Sequence, residues 1–242
     1  MDRLTRHELK QDEFREGLDQ LEEYFKQHLK EILTIVVVTV IVVGSALALR
    51  YYLSEQEASA NIDLATALRT FQSYVGTVVP GALGADTESF PTAADKYRTA
   101  LTQFNAIVKK YHMFPRPKVV SIALYHAGIC ESLLGNSGAA IRNLQDASRD
   151  RDREIATLAE FALAGEFLKT GKTQEAVRMY QDLADHPSLA VPRASALLAM
   201  AEALENSQPA RARQLYDQAQ KELGFDPSLA QAMKQEMPEL AQ

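Results

Sequence analysis

Residues Ile32 to Leu49 read ILTIVVVTVIVVGSALAL, and whether this run is strand or helix governs the reading of everything on either side of it. Its valines and isoleucines favour a strand on propensity alone. Strands, however, run to about 5–6 residues, and here 18 consecutive positions lack any charge, proline or amide. As a helix the run spans about 27 Å, and Tyr51, Tyr52 and Leu53 extend it to about 30 Å, the thickness of a bilayer's hydrocarbon. An isolated segment in lipid has to close its own backbone hydrogen bonds, so helix prevails over propensity. Lys26, His28 and Lys30 precede the run, and Arg50, Tyr51 and Tyr52 follow it, as suits two headgroup zones. The expectation is one transmembrane helix over 32–53. A core helix of a soluble protein is rarely this long and this evenly apolar. Ala46, Leu47 and Ala48 form an A-x-A pattern, but the 31 residues before the run carry nine acidic and six basic side chains. A cleaved signal peptide begins short and basic, so an uncleaved span is expected.

The chain has 242 residues and a net charge of −6. The flank before the span carries −3, and the part from Arg50 onward, with 20 basic and 23 acidic residues, carries −3 as well. Neither part is basic, so a nucleic-acid partner has no electrostatic support. The lone Cys130 forms no intrachain disulfide and identifies no redox compartment. The absence of tryptophan and the sparse, clustered glycine and proline fit a helical protein. Long domains cross a membrane largely regardless of charge, whereas a short flank with six Lys/Arg is retained. The N-terminus is therefore expected in the cytoplasm.

Within that flank, residues 1–31, Phe14, Leu18, Leu21, Phe25, His28 and Ile32 follow a 4-3-4-3-4 spacing, one stripe of a helix that pairs with another helix or continues the span in solvent. Glu13, Glu16, Glu22 and Glu23 disfavour lying flat on anionic lipid. Gly44 and Ala48 make a small-xxx-small pair that would support a homo-oligomer.

Beyond the span a 36-residue period emerges. Ala140, Ala176 and Ala212 are followed four positions on by Leu144, Tyr180 and Tyr216, and seven on by Ala147, Leu183 and Ala219. A small residue that lets two helices approach, then a large one that fills the gap, is one face of a helix. Five positions before the first two alanines stand Gly135 and Gly171, where a turn between helices needs left-handed backbone. The third copy has Ser207 there and Pro209 near the start of the next helix. Upstream, Asn61 to Tyr74 and Ala93 to Tyr111 read as another helix pair, in a region 54–118 interrupted by a proline- and glycine-rich loop over 76–92. Asp226 and Pro227 open a short terminal helix within 225–242 that would cap the array.

These residues resemble the tetratricopeptide repeat, a helix–turn–helix unit. Ala123, Gly128, Leu134, Gly135, Ala140, Ile141, Leu144 and Ala147 carry the likeness in the first copy, and Gly171, Glu175, Ala176, Tyr180 and Pro187 in the second. Three repeats are expected over 119–224, and the fold class is all-α, an α-solenoid behind one membrane helix. An acidic flank, one span and such repeats together resemble the family of the bacterial ancillary Sec-translocon subunit. That resemblance implies an inner-membrane protein with its repeats in the periplasm, partnered by translocon subunits, chaperones or newly exported polypeptides.

The repeat family's inner-face positions fall on Tyr125, Ile129 and Ser132, then Phe161, Gly165 and Leu168, then Leu197, Ala201 and Leu204. The expected lining is apolar and suits a hydrophobic peptide or helix. It holds no lysine or asparagine to clamp a carboxylate tail. The other reading is an envelope scaffold assembled through the span and the Phe14 to Ile32 stripe. No cofactor or metal is expected, because the five histidines are scattered without ligand spacing. His126 and Cys130, one helical turn apart, are the only nucleophile and base in register, and no phosphate loop or nucleophile motif accompanies them, so the reading is of a non-enzyme.

Overall fold

A computed structural model describes the backbone over residues 6–76, 89–111 and 116–222, with side chains from residue 28 onward apart from position 32. Among these residues the chain is mostly helical. Eight helices follow in order: α1 (Arg6–Gln72), α2 (Ala93–Lys110), α3 (Lys118–Leu133), α4 (Ser137–Ala147), α5 (Arg153–Lys169), α6 (Thr173–Asp185), α7 (Arg193–Leu204) and α8 (Pro209–Glu222). The chain divides into two compact units, 1–56 and 57–242.

The β-branched run is helical, and the expected span and the expected helix from Asn61 are parts of the same element, α1. Nothing in RYYLSEQEASA breaks a helix, so no boundary forms there. Thr34 and Thr39 donate their hydroxyls to the carbonyls of Lys30 and Ile35 at 2.7 and 2.8 Å, so these two donors are paired within the helix in an apolar setting. Every described side chain from Leu33 to Glu55 is exposed. This is one helix long and apolar enough to cross a membrane, with none of the coverage that a core helix receives.

In the second unit, Ala60, Leu64 and Ala67 of α1 pack with Ala100, Phe104 and Ile107 of α2 and with Tyr111 just beyond it. Asp63 fastens the same pair, accepting from Lys110 Nζ at 2.9 Å and Tyr111 Oη at 2.8 Å. Those two hydrogen bonds hold its carboxyl below the usual carboxylate range. The loop expected over 76–92 falls mostly on 77–88, outside the described residues. Its ends pair as a parallel ribbon of β1 (Tyr74–Val75) and β2 (Ser89–Phe90). Thr92 then caps α2 by accepting from the Asp95 N–H at 3.1 Å. The terminal helix expected within 225–242 also lies outside the described residues.

From α2 onward each helix packs on the next in chain order, and α3 also meets α5. All nine positions of the 36-residue period are buried. The two turn glycines adopt left-handed backbone, Gly135 at φ 82° and Gly171 at φ 78°. After each, the next N–H reaches back to close the helix end, Asn136 to the Glu131 carbonyl and Lys172 to the Phe167 carbonyl, both at 2.8 Å. The third turn closes without glycine, with the Ser207 and Gln208 N–H groups sharing the Leu204 carbonyl at 3.1 and 2.7 Å.

Helices α3 and α4 approach closely, so that a Cβ added to Gly128 would stand 2.7 Å from Leu144 Cγ and 3.3 Å from the Ala140 carbonyl oxygen. Gly128→Ala is expected to lower stability, because overpacking costs about 1–3 kcal/mol against a helix-propensity gain of up to about 1 kcal/mol. Leu144→Ala should cost less in that variant than in the parent chain. Denaturant midpoints of the four proteins, read as a double-mutant cycle, check for this coupling of at least about 0.5 kcal/mol.

Candidate functional site

Helices α3 and α5, packed side by side, carry most of the residues expected to line a groove. Tyr125, Ile129, Phe161 and Leu168 are half-buried, so each keeps part of its apolar surface in solvent. Leu197 and Leu204 of α7 differ, at 2% and 3% exposed, and lie in the core formed by α6, α7 and α8. Ala201 is buried beside them. Leu197 and Ala201 thus present no surface to a ligand, because α7 turns this face toward its neighbours, and Leu204 only edges a cleft between α6 and α8. Leu133, at the end of α3 and 51% exposed, extends the α3 and α5 face and was not singled out from sequence. Its spacing of four from Ile129 is the signal that would have found it.

Phe161 leans on Tyr180 of α6 with ring centroids 5.2 Å apart, an attractive tilted arrangement. Burial pushes the Tyr180 phenol up to about 12. Gly165 lies beside this ring, where a Cβ would make an ordinary contact of 3.6 Å with Tyr180 Oη. Ser132 is not a free groove residue. Its hydroxyl donates to Glu166, a carboxylate only 2% exposed, which also accepts from Lys169 Nζ at 2.8 Å. Burial opposes the Glu166 charge, but Lys169 and the Ser132 and Ser137 hydroxyls outweigh it and hold the carboxyl below its ordinary range. This buried knot joins α3 to α5 beneath the apolar face and fixes their spacing.

His126 and Cys130 stand beside this face on α3, turned toward the core that α3 shares with α1 and α2. His126 stacks on Phe104 at 5.3 Å and meets Phe71 edge-on at 5.3 Å and Tyr125 at 5.0 Å. Its Nδ1 is buried with no hydrogen-bond partner among the described residues. Burial drives the imidazole down to about 4 and the fully buried Cys130 thiol up to about 12. Both are therefore neutral, the reverse of an activated thiolate and imidazolium. Among the described residues no group of three or more His, Cys, Asp or Glu side chains is placed to hold a metal ion. Phe14, Leu18, Leu21 and Phe25 lie on the helical backbone of α1, and their side chains fall outside the described residues.

No protein-family model, curated protein or solved structure matches this chain.

The buried imidazole makes stability depend on pH. Above about 6.5 His126 is neutral in both folded and unfolded chains, and between 6.5 and about 4 only the unfolded chain takes up the proton. Its contribution is thus complete above 6.5 and is lost as pH falls toward 4. His126→Phe should flatten the melting temperature against pH over this window, which thermal melts of the two proteins in matched buffers will read.

Proposed function

We propose that the protein is a membrane-anchored protein–protein interaction module. The observation that carries this reading is the set of apolar side chains on two helices packed together, Leu133, Ile129 and Tyr125 on α3 and Phe161 and Leu168 on α5, left partly open to solvent, where most other exposed large apolar side chains among the described residues belong to α1. A face of this kind accepts an apolar peptide or helix, and aromatic anchors among aliphatic neighbours are the residues on which such contacts concentrate.

The 36-residue period, buried at all nine positions, and the glycine-closed turns support a finer reading, in which α3 to α8 are three tetratricopeptide-like pairs stacked as a solenoid. With the acidic flank and single span, this supports a place in the bacterial inner membrane, N-terminus in the cytoplasm and repeats in the periplasm. There the module would engage translocon subunits, chaperones or newly exported chains. The alternative, an envelope scaffold, draws on the apolar side chains of α1, which are uncovered from Leu33 to Leu53.

Two measurements test this. Fused at the C-terminus in a bacterial host, alkaline phosphatase should be active and a cytoplasm-dependent reporter silent; the reverse pattern would remove the periplasmic reading. For the face itself, Leu133→Glu and Ile129→Glu, with helicity checked by circular dichroism, should weaken co-purification of partners from membranes by about tenfold or more, the loss expected when an interface anchor is replaced by a desolvated charge. Retained capture in these variants, together with loss on replacing Leu18 and Leu21 by glutamate, would favour the scaffold.

A further inference from the structure

We infer that the protein has a second recognition surface, a cleft between α6 and the α7–α8 corner that binds an acidic stretch of polypeptide. The cleft has a volume of about 770 Å³, within the range of about 300–1,000 Å³ found for ligand sites. It shares no residue with the α3 and α5 face, so this inference does not rest on the function proposed for that face.

Charge is the first argument. The chain as a whole carries −6, yet the lining of this cleft contains two guanidinium groups, Arg178 from α6 and Arg211 from α8, and no carboxylate. Both arginines are exposed. Where Arg98, Arg149 and Arg193 each hold a carboxylate of this chain, neither Arg178 nor Arg211 makes an ion pair among the described residues. Arginine presents a planar fork of donors that matches a carboxylate in two hydrogen bonds, so a pair facing one cleft favours an acidic partner.

Backbone and amide donors point the same way. The first turn of α6, at Thr173 and Gln174, and the side chains of Asn206 and Gln208 just before α8 border the same space. Lys172 at the N-cap of α6 supplies no side-chain acceptor, so the first N–H groups of α6 remain available and add their partial positive charge. The donors are spread over two walls rather than converging on one point, and half-buried Val177 and Ala203 lie among them. That distribution fits a segment of chain carrying separated carboxylates and an apolar side chain between them, rather than a single small anion. Two cations in a chain of net negative charge give no comparable case for a nucleic acid.

The test uses the full chain in detergent micelles and fluorescence anisotropy of a labelled peptide alternating Glu and Leu, with a Gln and Leu peptide as its neutral counterpart. Saturable binding of the acidic peptide, weakened by salt, is expected, with little binding of the neutral one. Reversing both charges in Arg178→Glu/Arg211→Glu should reduce affinity at least about tenfold, while Arg142→Glu, an exposed arginine on α4, and Leu133→Glu should leave it unchanged. Equal binding of both peptides, or equal loss with Arg142→Glu, would overturn the inference. So would displacement by inorganic phosphate beyond that by chloride at matched ionic strength, which marks a free-anion site, or by a single-stranded oligonucleotide. Loss with Leu133→Glu but not with the arginine pair would overturn the cleft while upholding the α3 and α5 face.

Discussion

The close seating of one helix on the next at a small residue is the constraint on which the second unit depends. Gly128 meets Leu144 with no space for a Cβ, and Ala140, Ala176 and Ala212, each fully buried, allow the same approach along the chain. The large partner four residues on, Leu144, Tyr180 or Tyr216, occupies the volume that the small one vacates. Dispersion gains fall off within an ångström of separation, so a methyl group too many or too few at these positions disturbs the pair. The lengths of the turns follow from it. A helix pair this close has to be joined by a tight corner, and left-handed glycines at 135 and 171 make that corner at little conformational cost.

Several polar groups drawn into this packing are tied across helices. Glu166 is one, its Oε1 held by Ser132 and Lys169 where α3 meets α5. Glu154 plays a comparable part by accepting the Ala190 N–H at 2.6 Å, and Thr157 shares a hydrogen bond with Ser188 at 2.8 Å. Together they fasten the segment between α6 and α7 to the start of α5. Buried hydrogen bonds of this sort contribute modestly to net stability but cost more when one partner is lost, and so they select one arrangement of the helices over neighbouring ones. Set on that frame, the incompletely covered apolar side chains of α3 and α5 keep a defined spacing.

Much of this was legible in the chain. The apolar run announced a helix long enough for a bilayer because its length exceeds any strand and its composition excludes any breaker. The period of 36 marked which alanines and which large residues are buried, because small and large positions on one helix face carry the signature of close packing. Turn glycines were legible too, since left-handed backbone leaves few alternatives. The continuity of α1 past residue 53 has no hydropathic signal, and only the absence of a breaker between Arg50 and Ala60 points to it.

What only the tertiary structure decided is which faces end up covered. Tyr125, Phe161 and Leu197 occupy equivalent positions of the period, yet the first two are half-buried and Leu197 is in the core. Periodicity specifies the angle at which a side chain leaves its helix, not what packs against it. His126 and Cys130 could be paired by spacing, but their neutrality follows from desolvation by Phe71, Phe104 and their neighbours, residues remote in sequence. Likewise Arg178 and Arg211, 33 positions apart, come to one cleft only through the corner between α7 and α8. A sequence establishes local geometry because backbone conformation depends on near neighbours; burial, electrostatic environment and the meeting of distant charges arise from contacts that exist only once the helices have packed.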